Sequence, residues 1–214
     1  MMVAEAFSSG ADGVFIGACR RGECHYSTGN LYAEVRVELI KSALETAGIS
    51  PERLVMRMMS SAEGNKFVEF ITEFQKVIGD LGPLGEKEGL KRDAIQRKLK
   101  AIRDALGGPK LRWVVGKVLE FKEKGNLYGE KFTDHEIKRL FEEITMDEIG
   151  LREILEILNT GPHSVSQLSQ IMGSKKERVL MHLSDLHRMG IASIARIENR
   201  TPFWQVIPGA RSYE

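Results

Sequence analysis

The first third of the chain alternates between short apolar runs and stretches with helical periodicity. Residues 13–18 form an apolar run bounded by glycines, and "RLVMRMM" at 53–59 forms a second one, so both are predicted as buried strands. Apolar residues recur at helical spacing after each run, over 35–47 and over 63–78. The order strand, helix, strand, helix predicts a parallel sheet with right-handed crossovers, in an α/β domain over residues 1–84. Two strands and two helices are only part of a doubly wound domain, so we expect the sheet to be incomplete.

The middle of the chain, residues 85–146, carries narrow apolar stripes on otherwise charged helices. One stripe runs through 86–106 and a second through 111–119. The sequence "TDHE" at 133–136 is a capping box, in which a threonine hydroxyl and a glutamate carboxylate satisfy free backbone amides. We interpret this segment as a helical spacer or docking surface without a catalytic site.

The last domain, residues 147–214, is predicted to contain three helices followed by a β-hairpin. The predicted helices run from Glu148 to Leu158, from Val165 to Met172 with a cap at Ser164, and from Lys175 to Met189 with a cap formed by Ser174 and Glu177. "IASIARI" and "TPFWQVI" then flank a turn at Asn199–Arg200. This order resembles the winged helix-turn-helix superfamily, an α+β fold. Its core is predicted to include Met172, Met181, Met189 and Trp204.

Charge is distributed unevenly along a chain whose net charge is only +1. Residues 86–124 carry 12 basic and 6 acidic side chains. Such a run is either a solvated helix face or a surface that docks a partner or nucleic acid. Residues 150–214 carry 8 basic and 6 acidic side chains, so phosphate neutralisation by the winged helix would be weak. Its candidate DNA-contacting residues are Lys175, Lys176, Arg178, His182 and Arg188.

Composition is that of an ordinary globular protein. The chain has 214 residues, of which 42% are apolar and 29% charged. No apolar stretch is long enough for a membrane span, and the N-terminus lacks the features of a signal peptide. We therefore expect a cytoplasmic location, where thiols stay reduced.

The two cysteines of the chain, Cys19 and Cys24, follow the first predicted strand. Doubly wound folds place their ligands at this edge of the sheet. The Cys-x4-Cys spacing also occurs among the [2Fe–2S] ligands of plant-type ferredoxins. From the residues alone, three interpretations remain open: two incidental thiols, a redox-active disulfide, or a metal centre.

Residues 10–74 contain, in this order, the motifs "GADGVFIGACRRGECHYSTGN", "GISPERL" and "SAEGNKF". Through these motifs the segment, about a third of the chain, resembles the delta subunit of methyl-viologen-reducing hydrogenase. It implies an iron–sulfur electron-transfer subunit in which Cys19 and Cys24 are two ligands of a [2Fe–2S] cluster. His25, Tyr26 and the turn residues around the loop would shape that site.

Two departures from the family pattern bear on this expectation. Arg20 and Arg21 stand where the family has His-Pro, which adds positive charge beside the expected cluster. The family also has further cysteine ligands upstream that this sequence lacks, whereas a [2Fe–2S] cluster normally takes four ligands. The remaining ligands would come from an omitted N-terminal segment, from a partner, or not at all; His25 is a substitute ligand to consider, as in Rieske centres.

The resemblance implies a non-catalytic subunit of a multi-subunit oxidoreductase. It would relay electrons between a hydrogenase or formate dehydrogenase subunit and a flavin-bearing subunit of the heterodisulfide-reductase type. The winged helix would then dock on these partners. The alternative is a transcription regulator whose thiols sense redox state or a metal and whose winged helix binds DNA.

Overall fold

A computed structural model describes residues 2–210 and 213 of the chain. The chain divides into an N-terminal unit, Met1–Thr145, and a C-terminal unit, Met146–Glu214. No helix in the described part of the chain combines the length and the apolar character that crossing a bilayer requires.

The N-terminal unit begins with a strand–helix–strand–helix arrangement, as predicted. Its elements are α1 (Met2–Ser8), β1 (Val14–Ala18), α2 (Gly29–Thr46), a 3-10 turn (Pro51–Arg53), β2 (Leu54–Met58) and α3 (Gly64–Leu81). β1 and β2 pair in parallel, with Val14 opposite Leu54 and Ala18 opposite Met58. Among the described residues this sheet has two strands, which confirms the predicted small parallel sheet.

The start of β1 lies close to the end of α3. A Cβ atom on Gly13 would lie 2.4 Å from Ile78 Cδ1 and 2.8 Å from Phe74 Cζ. Only glycine therefore permits this approach without displacing the buried Phe74 ring. Phe15 of β1 also packs on Phe74, with ring centroids 5.9 Å apart. These contacts place α3, the helix that follows β2, directly on the sheet.

Helices from the middle of the chain pack on this α/β part. The helices are α4 (Arg92–Gly107), α5 (Pro109–Glu123) and α6 (Asp134–Leu158). α4 packs against α1, and α5 packs against α2. The helix predicted to begin near residue 86 begins at Arg92 instead, because Glu88 turns inward to pair with Arg53.

One long helix replaces the shorter one predicted from Glu148 to Leu158. α6 begins at the capping box, where Glu136 N–H donates to Thr133 Oγ1 at 3.3 Å and Thr133 N–H donates to Glu136 Oε2 at 2.8 Å. No proline interrupts the next 25 residues, so the helix continues to Leu158. The hydroxyl of Thr145 lies 3.2 Å from those of Ser42 and Thr46, which ties the first part of α6 to α2.

The C-terminal unit has the predicted winged-helix order. After α6 come β3 (His163–Ser164), α7 (Val165–Met172), α8 (Lys176–Arg188), β4 (Ala192–Glu198) and β5 (Thr201–Val206). The three strands form an antiparallel sheet in the order β3-β5-β4. Asn199 and Arg200 turn the hairpin with φ angles of 47° and 64°, as a type I′ turn requires. Its core contains Ile154, Leu168, Val179, Leu183 and Leu186.

Three details of this unit test the sequence-based expectations. The capping box of Ser164 and Gln167 is present. The cap predicted from Ser174 and Glu177 is wrong: α8 begins after Lys175 without a side-chain cap, and the Ser174 carbonyl accepts from Ser169 Oγ at 2.6 Å. Met172 and Trp204 are buried as predicted. The core prediction is wrong for Met181 and Met189, which are 47% and 53% exposed: Met181 lies on the solvent side of α8, and Met189 is the residue that follows the helix.

Candidate functional site

The loop that carries both cysteines connects the carboxyl end of β1 to the first turn of α2. Cys19 follows Ala18 directly and is exposed, and Cys24 is partly exposed; both are free thiols. The Met59 N–H donates to the Ala18 carbonyl at 2.8 Å, so the strand pairing continues to the point where the loop begins. The thiols therefore lie at the edge where parallel α/β sheets bind ligands.

Asn30, in the first turn of α2, holds the start of this loop. Its side chain is buried, and its Nδ2 donates to the carbonyl of Cys19 at 3.1 Å and to that of Arg20 at 2.9 Å. These carbonyls have left the strand ladder, and buried backbone groups need such replacement partners. Asn30 Oδ1 is buried and has no partner among the described residues. The backbone of the first cysteine is thus fixed to α2.

The second cysteine lies against the same turn of α2. A Cβ atom on Gly29 would lie 3.5 Å from Cys24 Sγ and 3.2 Å from Tyr26 Cβ. The absence of a side chain at Gly29 therefore leaves room for the loop as it returns to the helix. Ser27 takes a φ of 56°, a left-handed conformation that helps to close this return. Both cysteine segments consequently adjoin Gly29–Asn30.

A carboxylate joins the cysteine loop to the loop that follows β2. Glu63, the residue before α3, accepts from Ser60 N–H at 2.8 Å and forms ion pairs with Lys66, at 2.7 Å, and with Arg20. The hydrogen bonds from Lys66 and from the Ser60 amide, with the charge of Arg20, lower the pKa of Glu63. Both strand-end loops are therefore linked through one ionised carboxylate.

The extra positive charge expected from the two arginines is offset in the structure. Arg20 pairs with Glu63, and Arg21 pairs with Glu34 at 2.7 Å. His25 and Tyr26 pack edge-to-face on each other, with ring centroids 5.1 Å apart, and both are exposed. They extend the loop into solvent beside the thiols.

Cys19 and Cys24 are half as many cysteines as a [2Fe–2S] ligand set normally contains. Such a cluster takes four ligands, usually cysteine thiolates. Within residues 2–210 and 213, no group of three or more His, Cys, Asp or Glu side chains is arranged to hold a metal ion. The assignment of both cysteines as ligands therefore stays a prediction.

The solvent face of α8, the second helix of the helix-turn-helix, combines basic and apolar side chains. Lys175, Lys176 and Arg178 are exposed at its start. Further along, Leu180 and Met181 are 48% and 47% exposed. Exposed apolar side chains favour a protein contact, whereas DNA reading relies on hydrogen bonds to base edges and phosphates.

His182, a candidate DNA-contacting residue in the sequence, is buried in the winged-helix core. It is 1% exposed, and neither ring nitrogen has a partner among the described residues. Burial lowers the pKa of His182 below its usual value, against the nearby charge of Asp147. The ring lies against α6, where a Cβ atom on Gly150 would be 2.6 Å from Nε2. The prediction of a DNA contact for His182 is therefore wrong, since the residue faces the core.

Sequence reasoning missed a buried ion pair at the amino end of β2. Arg53 is fully buried and donates from Nε to Glu88 Oε1 at 2.7 Å and from Nη2 to Glu88 Oε2 at 3.0 Å. Its Nη1 donates to the carbonyls of Asp12 and Gly82, and Nη2 also donates to those of Leu81 and Pro83. The one sequence feature that could have indicated this pair is Arg53 itself, the arginine of "GISPERL". Nothing in the sequence identified Glu88 as its partner. The pair secures the chain between α3 and α4.

Fold and site together define a two-part protein: an α/β domain with a thiol pair at its sheet edge, followed by a winged helix-turn-helix domain. Residues 1–82 match the family described as "Methyl-viologen-reducing hydrogenase, delta subunit". Residues 152–193 match the family described as "Bacterial regulatory protein, arsR family". The resemblance inferred from the sequence is thereby confirmed for both parts.

Curated relatives match less than half of the chain. An iron–sulfur subunit of the F420-non-reducing hydrogenase of Archaeoglobus profundus is 46% identical over 81 residues, which are 38% of this chain and 59% of the relative. The corresponding iron–sulfur subunit of Methanopyrus kandleri is 46% identical over 79 residues, 37% of this chain and 60% of the relative. A subunit of the ferredoxin:CoB-CoM heterodisulfide reductase of Methanosarcina mazei is 43% identical over 91 residues, 42% of this chain and 11% of the relative. The chain thus spans about 60% of the hydrogenase subunits and a small part of the reductase subunit.

Proposed function

We propose that the chain is an iron–sulfur electron-transfer subunit of a multi-subunit oxidoreductase. The observation that carries the proposal is the thiol pair, which the first turn of α2 holds at the ligand-binding edge of a parallel sheet. A [2Fe–2S] cluster bound there would supply one-electron transfer. Cys19 and Cys24 would be two of its ligands, and the others would come from outside the described residues.

The proposed partners follow from the relatives. The relatives are hydrogenase subunits and a heterodisulfide reductase subunit, so we propose that this chain assembles in a complex of that kind. We propose that it relays electrons between a hydrogenase or formate dehydrogenase subunit and a flavin-bearing subunit of the heterodisulfide-reductase type. The exposed side chains of Leu180 and Met181 on α8 support a docking role for the winged helix.

Iron analysis of the assembled complex tests this function. Prepared without oxygen and with its partners, the complex should contain about two irons and two labile sulfides per copy of this chain. Cys19→Ala or Cys24→Ala should abolish this iron, because each removes a ligand. Ser61→Ala, in the neighbouring loop, is the matched control and should retain it. Unchanged iron in both cysteine variants would show that neither thiol is a ligand.

A DNA-binding regulator is the second candidate, since residues 152–193 match a family of regulatory proteins. If Lys175, Lys176 and Arg178 contacted phosphates, affinity for duplex DNA would fall with salt at a log–log slope of about −0.9 per phosphate neutralised. Changing all three residues to alanine would then flatten the slope by up to about 3 units.

For the full chain we expect weak DNA binding at physiological salt. The C-terminal segment carries little net charge, and the exposed face of α8 includes the apolar side chains of Leu180 and Met181 beside its basic residues. Fluorescence anisotropy of labelled duplex measures this directly, with Lys138→Ala/Arg139→Ala on α6 as a control for lost positive charge. Sequence-selective binding at about 10 nM or tighter would favour the regulator over the electron-transfer subunit.

A further inference from the structure

One turn of α2 adjoins both cysteine segments, although the cysteines are separated by four loop residues. Asn30 donates to the carbonyls of Cys19 and Arg20 at 3.1 and 2.9 Å, and Gly29 leaves the space beside Cys24 Sγ. Asn30 is 5% exposed, so these bonds are shielded from water. The loop between the cysteines is exposed and contains Gly22 with a φ of 85°. Within the loop, one backbone hydrogen bond closes a turn, from the Glu23 N–H to the Arg20 carbonyl at 3.1 Å, so the bonds from Asn30 are what join the loop to α2 at Cys19.

We propose that Asn30 is a positioning residue for the thiol pair. By holding the Cys19 carbonyl against the same helical turn that seats Cys24, it fixes the relative position of the two sulfur atoms. The proposal deepens the proposed function, on which it rests for the identity of the natural ligand. Asn30 acts through the backbone and touches neither sulfur in the contacts described.

The amide N–H groups of Asn30, not its carbonyl oxygen, hold the cysteine loop. Both Nδ2 hydrogens are used, while Oδ1 has no partner among the described residues. Aspartate has the same shape but, when ionised, only accepts hydrogen bonds. Asn30→Asp would therefore set a carboxylate oxygen against two carbonyl oxygens. Asn30→Ala removes the donors without adding repulsion, so its effect should be smaller.

Cadmium binding to the cluster-free full chain tests the proposal without the natural ligand. Cd²⁺ prefers thiolates, and its ultraviolet thiolate-to-metal band grows with the number of sulfurs bound. Wild type should bind Cd²⁺ through both thiols, with a band about twice that of Cys24→Ala. Asn30→Asp should bind at least about 10-fold more weakly and show a one-thiolate band, as loss of an orienting partner at a metal ligand typically does.

The control lies on the same helix. Ser42 is also a buried polar residue of α2, but it lies far from the cysteine loop. Its hydroxyl bonds to that of Thr145 on α6. Ser42→Ala should therefore keep the wild-type cadmium affinity and two-thiolate band. Circular dichroism checks that each variant is folded. If Asn30→Asp does not fold, the cadmium affinity of Asn30→Ala is compared with that of wild type instead.

The outcomes separate this proposal from the proposed function. Equal cadmium affinity in wild type, Asn30→Asp and Asn30→Ala would overturn the positioning role. So would a one-thiolate band in wild type, because the thiols would then not act together. Failure of the proposed function would give a different result. The anaerobic complex would contain no iron, while the cluster-free chain would still bind Cd²⁺ more tightly as wild type than as Asn30→Asp.

Discussion

Replacing Arg53 by methionine should destabilise the N-terminal unit by about 3–5 kcal/mol, the cost typical of removing one partner from a buried ion pair. Glu88, whose side chain is 6% exposed, would keep its charge without a counter-ion. The carbonyls of Leu81, Gly82 and Pro83 would lose their donor as well. Urea unfolding of the full chain, followed by circular dichroism, measures the change.

Two further variants identify the cause of this loss. Arg53→Met combined with Glu88→Leu should recover part of the stability, because the second change removes the unpaired charge. Arg139→Ala breaks an exposed ion pair with Glu143 and should cost less than about 1 kcal/mol. A loss of the same small size for Arg53→Met would mean that the buried pair does not hold the chain between α3 and α4.

The same pair predicts the acid sensitivity of this unit. Burial alone would raise the pKa of Glu88, but hydrogen bonds from Arg53 and from the backbone amide of Ser50 outweigh it and lower the pKa from 4.5 to about 2. That lowering corresponds to about 3 kcal/mol of stability. The contribution is fully present above pH 4.5 and is lost as the pH falls toward 2. Glu88→Gln should flatten the pH dependence of unfolding in this window.

Periodicity and capping patterns predicted the elements that depend on local sequence. The two strands and the Ser164 capping box follow from residues close together in the chain, and the parallel pairing and the winged-helix fold follow from the order of such elements. The start of α4 could not be predicted in this way. Glu88 lies in a charged run that is typical of a helix. Its partner Arg53 is distant in sequence, and because Glu88 turns inward to pair with it, α4 begins only at Arg92.

The candidate site was predicted in part for the same reason. Cys19 and Cys24 could be placed after β1 from the strand pattern, and the structure locates them there. The donor role of Asn30 depends on which side of α2 faces the loop, and the pairing of Arg20 with Glu63 depends on both strand ends lying at one edge. The burial of His182 likewise depends on α6 approaching α8 at a glycine, which the charge pattern of α8 does not show.

Gly150→Ala should destabilise the C-terminal unit by about 1–2 kcal/mol, although alanine is the better helix former by about 1 kcal/mol. A Cβ atom there would lie 2.6 Å from His182 Nε2 and 2.9 Å from Cδ2. The buried ring cannot move without disturbing the core, so the cost of overpacking outweighs the gain in helix propensity.

Fluorescence of the buried Trp204, in a Trp113→Phe background, measures the unfolding of the C-terminal unit. Gly116→Ala on α5, in the N-terminal unit, is the control, because a Cβ atom there meets nothing within 4 Å; followed by circular dichroism, it should stabilise its unit by about 0.5–1 kcal/mol. In a His182→Ala background, Gly150→Ala should become neutral or stabilising. A loss that persisted there would show that the ring of His182 is not what excludes a side chain at position 150.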